Sequence, residues 1–406
     1  MPSTHTERAY LDYNASAPLR PEARVAAIAA MDALGNPSSI HAEGRAARAI
    51  VEQARRTIAE LAGVAPRAVV FTSGATEAAN LVLTPSLGAP GRAAPLARLI
   101  LGAGEHPCVL QGHRFTPQAT TLAPLAADGR IDLEALAELI DAADGPPMLA
   151  LQGANNETGV IQPVAEAAAL VHARGGVLVC DAVQLAGRAD LSLAALGADF
   201  LILSAHKLGG PKGVGALIAA RSEVSFGAPL LRGGGQERGA RAGTENVAAI
   251  AGFGAAARVA DADRIAEAAR LGALRDRLAE AVKQSATDAE FFGAASPRLA
   301  NTLCFAVPGL EAATLVIALD LAGVAVSSGS ACSSGKVGRS HVLEAMGVAP
   351  DLAGGAIRLS LGWASGEADA DRFAEVFAQV VAGLRRRRAI TLACDVNLGR
   401  SERLSS

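Results

Sequence analysis

Only four lysines occur among the 406 residues: Lys207, Lys212, Lys283 and Lys336. A Schiff-base enzyme needs one such amine. Lys207 lies in Ser204-Ala205-His206-Lys207, directly after the apolar run 200–203, so it projects from the carboxyl end of an expected strand. Open parallel sheets bind ligands at those ends. Taken singly, Lys207 reads equally as a surface lysine in a loop. The run 177–180 ends in turn in Asp181-Ala182-Val183-Gln184. An aspartate there either caps a helix or pairs with a protonated pyridine nitrogen, the contact that makes pyridoxal phosphate an electron sink. Gln184 is then within reach of the cofactor's ring oxygen.

A phosphate needs a cradle, and Thr72-Ser73-Gly74-Ala75-Thr76-Glu77 supplies one candidate after the run 69–71. A small-residue turn that opens a helix offers free amides and a positive dipole end to an anion, although a plain capped turn would look the same. His106, in Gly104-Glu105-His106-Pro107, is placed to lie over a ring and to move protons near neutral pH, although taken singly a loop histidine is more often structural. Asn155, in Asn155-Asn156-Glu157-Thr158-Gly159, follows the run 148–151 and can hold a cofactor edge or a substrate, or simply form a turn.

The residues 327–340, SSGSACSSGKVGRS, are nearly all Ser, Gly and charge, which predicts an exposed, mobile loop around Cys332. Lys336 and Arg339 nearby favour the thiolate, the nucleophilic form. Cys180 and Cys304 sit inside apolar runs and read as core cysteines; Cys108 and Cys394 have no supporting context. Ile357-Arg358-Leu359-Ser360-Leu361 alternates, which puts Arg358 opposite three aliphatic residues, either facing solvent or gripping a substrate carboxylate. Two patterns are decoys. The segment 329–337 has the wrong spacing for a phosphate-binding P-loop, and Gly252-Phe253-Gly254 lies in a helical stretch with no strand before it.

These residues must be held by a particular kind of scaffold. From about residue 60 to 220, short apolar runs alternate with amphipathic stretches, the pattern of βαβ units around a mostly parallel sheet. Strands are expected at 68–71, 98–101, 148–151, 177–180, 200–203 and 215–219. A helix is expected over 247–285, leading to a smaller unit with strands at 301–307 and 356–361. The arginine run 385–388 reads as a charged helix end followed by a loose terminus. A chain this long exceeds a single core, so two domains are expected, 15–260 and the combination of 1–14 with 261–406. A net charge of -3 is nearly balanced and gives no basic field for nucleic acid. No apolar stretch is long enough to span a membrane and no apolar leader opens the chain, so a cytoplasmic protein is expected. Five cysteines without CxxC pairs argue against a disulfide framework or a zinc site.

Together the segments 10–15, 35–39, 71–80, 155–163, 181–184, 204–213, 233–246 and 328–343 resemble the cysteine desulfurases. These are fold type I pyridoxal-phosphate enzymes of the class V aminotransferase group. The resemblance implies an α/β homodimer, with a large domain built on a mostly parallel sheet and a smaller α+β domain. It implies that Lys207 bonds to pyridoxal 5'-phosphate, Asp181 pairs with the pyridinium, Gln184 touches the ring oxygen and His106 stacks on the ring. Ala75, Thr76, Ser204 and His206 would hold phosphate, joined by Thr244 of the neighbouring subunit; Asn155 and Arg358 would meet the substrate. Cys332 would take sulfur from L-cysteine, leave alanine, and pass the persulfide to an acceptor such as an iron-sulfur scaffold protein. Transient ligation of an iron-sulfur cluster is the most that Cys332 would do as a metal site. The short segment between Cys332 and His341 leans towards the nitrogen-fixation type. A selenocysteine lyase or plain aminotransferase would share the cofactor residues, and a non-catalytic scaffold would share only the fold.

Overall fold

The structure is a computed structural model. It describes residues 8–88, 95–222, 225–226, 229–329 and 339–401, without the side chains of 225–226 and 391–401. The central sheet has seven strands: β1 (Val69–Thr72), β2 (Arg98–Gly102), β3 (Thr120–Ala123), β4 (Pro147–Gln152), β5 (Val177–Asp181), β6 (Phe200–Ser204) and β7 (Gly215–Ala219). Their order is β1-β7-β6-β5-β4-β2-β3. All neighbours are parallel except β7, which runs antiparallel to both β1 and β6. Every residue of β4 to β7 is buried, because helices cover both faces. Strands buried on two faces carry continuous apolar runs, so six of the seven fall within one residue of the expected bounds. The unexpected one, β3, is an edge strand with Leu122 56 % exposed, and its sequence TTLA carries little apolar signal.

A second sheet is antiparallel, β8 (Glu290–Phe292), β9 (Thr302–Ala306), β10 (Ser327–Ser328) and β11 (Ala356–Ser360), in the order β8-β9-β11-β10. The start of the chain joins this body: Ala9–Tyr10 pairs with Val324–Ala325, and Asp12 bridges to Ser360.

The helix Val247–Ser285 connects two cores. Ala249 to Ala260 pack with the central sheet, whereas Leu271, Leu274, Leu278 and Val282 pack with Phe305, Leu315 and Phe373. Asn246 caps it by accepting from the Ala249 N–H at 3.1 Å. The pair Gly252 and Gly254 is explained by close approach: a Cβ on Gly252 would lie 2.6 Å from Pro211, and one on Gly254 2.8 Å from Ala54.

Two expectations need correction. The C-terminal helix does not end at the arginine run but continues from Glu367 to Ser401. Within the serine-rich segment Ser327 and Ser328 are buried and paired in β10 and Ser340 is only 1 % exposed, whereas Arg339 is exposed and the stretch around Cys332 lies outside the described residues. Cys180 and Cys304 are fully buried, and burial pushes both thiols well up from their ordinary range. Among the described residues no helix is long and apolar enough to cross a membrane.

Candidate active site

A cavity of about 540 Å³ opens beyond the carboxyl ends of β1, β2, β4, β5 and β6. Lys207 enters it at the end of the turn that follows β6. Its Nζ donates to the carbonyls of Asn14 at 2.6 Å and Ala15 at 2.9 Å. Asp181, the last residue of β5, accepts from the Val183 N–H at 3.0 Å. Burial raises its carboxyl to about 6, although the Val183 N–H and the Lys207 charge pull the other way. Gln184 faces the same cavity, its Oε1 held by Arg188 Nη1 and its Nε2 donating to the Asn14 carbonyl at 3.2 Å.

The turn after β1 opens the helix Ala75–Val82 at Gly74, which supplies no side-chain cap. Ala75 and Thr76 therefore bring free first-turn amides and a hydroxyl to the cavity wall, where Ser204 and His206 also lie. Glu77 braces this turn by accepting from the Ser73 N–H at 2.7 Å and from Arg241 at 3.1 Å.

His106 caps the turn after β2, its Nδ1 accepting from the Cys108 N–H at 3.1 Å. Burial, then the charges of Lys207 and His341, lower it to about 4, so at neutral pH it is an uncharged ring with its proton on Nε2. His206 is lowered to about 4 by burial, Lys207 and Lys212, and its Nδ1 lies 3.3 Å from Ser16 Oγ.

The cavity thus collects Lys207, Asp181, Gln184, His106, Ala75, Thr76, Ser204 and His206, but not Asn155, Arg358 or Thr244. Asn155 is 1 % exposed and lies behind the wall. Its Oδ1 accepts from the Glu157 and Thr158 amides at 2.8 and 2.9 Å, and its Nδ2 donates to Gly104 O at 3.2 Å. Arg358 is likewise 1 % exposed, donating from Nη2 to Asp12 at 2.7 Å and from Nη1 to the Asn156 carbonyl at 3.0 Å. Its Nε has no hydrogen-bond partner among the described residues. Thr244 is exposed and is not in this cavity's lining. Cys332 and Lys336 lie outside the described residues.

Sequence reasoning missed Gln152, Cys108 and Lys212 in the lining, and Glu105 beneath it. Gln152 ends β4, so its place at a strand's carboxyl end was a usable signal. Glu105 is fully buried; its Oε1 accepts from the Gln152 N–H at 2.6 Å, and its Oε2 has no partner among the described residues. Burial, reinforced by the nearby Asp181 charge, pushes this carboxyl well up.

An amine, a buried carboxyl opposite it, a flat uncharged imidazole and an uncapped helix start form the donor set that a phosphorylated pyridine aldehyde requires. Residues 9–373 match the family aminotransferase class-V. An IscS-like cysteine desulfurase of Mycobacterium tuberculosis is 40 % identical, over 93 % of this chain and 97 % of that protein. A cysteine desulfurase of Cereibacter sphaeroides is 42 % identical, again over 93 % of this chain and 97 % of its own length. The X-ray structure of a NifS-like protein from Rickettsia africae is 32 % identical, superposes with a TM-score of 0.83, and covers 92 % of this chain and 99 % of its own. The chain therefore belongs to the class-V aminotransferase family, among its cysteine desulfurases.

Proposed function

We propose that the protein removes sulfur from L-cysteine with pyridoxal 5'-phosphate held in this cavity, releases L-alanine, and leaves the sulfur as a persulfide on Cys332. The observation that carries the reading is the convergence of Lys207, Asp181, His106 and the uncapped helix start on one cavity, in a chain about 40 % identical to cysteine desulfurases. Pyridoxal phosphate supplies an aldehyde for amines and a ring that draws electrons away from the substrate carbons. Lys207 would hold that aldehyde through its amine and would serve as the group that moves protons at the substrate carbons. Asp181 would pair with the ring nitrogen, Gln184 would hold the ring oxygen, and His106 would cover the ring face without adding charge. Ala75, Thr76, Ser204 and His206 would bind the phosphate, joined by Thr244 of a second subunit. Asn155 and Arg358 stand behind the cavity wall, each hydrogen-bonded to other groups, so the proposed contact of Arg358 with the substrate's carboxylate and of Asn155 with the substrate would require these side chains to turn towards the cavity.

The Cys332 thiolate attacks the substrate sulfur, an S–S bond forms, and the substrate C–S bond breaks with its electron pair going to carbon. A proton completes alanine, so one cysteine and one thiol give one alanine and one persulfide. The outer sulfur then passes to an acceptor protein of iron-sulfur cluster assembly. A thiol that returns to its reduced form in each cycle suits a reducing compartment, which supports a cytoplasmic location. The two separate cores joined by the helix Val247–Ser285 support a division into 15–260 and the remainder.

The test is an absorption spectrum of the purified protein before and after L-cysteine, with alanine and reductant-released sulfide measured together. Equal alanine and sulfide are expected. The Cys332→Ser variant is expected to keep the cofactor and lose sulfur release; full activity in that variant would falsify the persulfide step.

A further inference from the structure

Glu157 lies in the turn after β4, is 2 % exposed, and takes no part in the cavity lining. Its Oε2 accepts a hydrogen bond from Ser340 Oγ, and a Cβ on Gly329 would stand 3.4 Å from the same oxygen. Gly329 and Ser340 stand on either side of the stretch that contains Cys332. Gly329 is tied to β11 by its N–H, which donates to the Ala356 carbonyl at 2.9 Å. Ser340 is tied to the helix His341–Ala345, whose Leu343 N–H donates to Ser340 Oγ at 3.1 Å. The turn itself is fixed, because the Glu157 N–H donates to Asn155 Oδ1 at 2.8 Å. The neighbouring Asn156 carbonyl receives Arg358 Nη1 at 3.0 Å and Asn14 Nδ2 at 3.1 Å. One carboxylate thus joins a turn next to the cavity wall to Ser340, on the far flank of the cysteine-bearing stretch, while Gly329 on the near flank passes close by and is held by β11.

We propose that Glu157 is a positioning residue for sulfur uptake by Cys332, fixing the flank at Ser340 relative to the turn 155–159. The inference rests on the assignment of Cys332 as the thiol that takes up sulfur. Its support is geometric, and the energetics agree. Burial pushes the Glu157 carboxyl up to about 7, although the Ser340 hydroxyl and the Arg358 guanidinium both hold it down. The groups facing it are Ser340, Arg358 on β11 and Cys304 on β9. A buried carboxyl with one hydroxyl donor is destabilising in itself, and an apolar side chain would fill the place more stably but would release Ser340.

The experiment separates substrate binding from sulfur uptake. In holoenzyme mixed rapidly with L-cysteine, Glu157→Ala is expected to leave the first absorption change at its wild-type rate. It is expected to slow persulfide formation on Cys332 by about 10- to 100-fold, the range for misplacing a reacting group by about an ångström. Glu157→Gln keeps an acceptor for Ser340 Oγ and is expected to recover most of the rate. Glu157→Ala and Ser340→Ala are expected to be non-additive. In the protein without cofactor, amides of 340–346 are expected to exchange hydrogen faster in Glu157→Ala than in wild type. Wild-type persulfide formation in Glu157→Ala, equal slowing of both kinetic phases, or failure of Glu157→Gln to recover the rate overturns the role of Glu157. Cys332→Ser is run alongside: if it still releases sulfide at the full rate, the reading of Cys332 fails instead.

Discussion

Asp181 ends β5 with its carboxyl raised to about 6 by burial, so its charge state changes close to neutral pH. Below that value it is protonated and offers no counter-charge to a protonated ring nitrogen; above it, it does. The cofactor is therefore expected to bind more weakly as pH falls through about 6, by up to about tenfold per pH unit. The same shift has the opposite sign for stability without cofactor. The unfolded chain releases its proton near the ordinary carboxylate value while the folded chain retains it, so this contribution is lost as pH rises from about 4 to 6. Asp181→Asn is expected to abolish the inflection and to lower turnover by about 100- to 1000-fold, the usual scale for removing a fixed charge partner. Absorbance titration of the cofactor-free protein with pyridoxal phosphate at several pH values checks this, and an inflection that survives in Asp181→Asn assigns it to another group. Asp181, Lys207 and His106 were legible in the sequence because each follows an apolar run at a strand's carboxyl end. Glu105 and Arg188 were not, because they stand behind the lining, Glu105 holding Gln152 and Arg188 holding Gln184 and the Lys207 carbonyl, and partner contacts of that kind leave no local pattern.

At the scale of elements, a buried ion pair clamps the turn 236–239. Arg55 of the helix Ala42–Ala62 grips both oxygens of Glu237, at 2.7 and 2.8 Å, and Glu237 Oε2 also accepts from the Phe71 N–H at 3.0 Å. The two side chains are 5 % and 1 % exposed. Glu237 and Arg238 have φ of 46° and 55°, a left-handed conformation that costs non-glycine residues on the order of 1 kcal/mol each. The clamp holds that turn against β1 and so directs the chain towards Thr244. Arg55→Met leaves Glu237 buried and unpaired, and is expected to cost about 3–5 kcal/mol in urea unfolding; a loss below about 1 kcal/mol would show the clamp to be dispensable. The sequence signalled long elements well. The helix Val247–Ser285 is a long Ala/Arg/Glu-rich run and the buried strands are continuous apolar runs, whereas β3, β8 and β10 are short or at sheet edges and depend on their neighbours for definition.

For the whole molecule, the position of Thr244 and the distribution of exposed apolar side chains lead to one expectation. Thr244 is exposed and outside its own chain's cavity, so a phosphate contact from it requires a second subunit. Leu19, Val25, Ile28, Met31, Leu34 and Ile40 are 43–88 % exposed, on and around the helix Pro21–Met31, whose inner face packs on the helix Val247–Ser285. Leu230 and Leu231, at 40 % and 44 % exposure, stand between β7 and the clamped turn. Apolar side chains concentrated in this way mark a contact surface, and a second copy of the chain is the occupant that would also supply Thr244. The wild-type protein is expected to sediment as a dimer. The double variant Ile28→Glu, Met31→Glu is expected to sediment as a monomer at micromolar concentration, because two charges on the face would be buried in like pairs across a twofold interface. That monomer is expected to retain its helical circular dichroism yet bind pyridoxal phosphate more weakly, since each cavity loses the hydroxyl of its neighbour's Thr244. A dimeric double variant would move the interface elsewhere. A monomeric variant with undiminished cofactor affinity would instead remove Thr244 from the phosphate site.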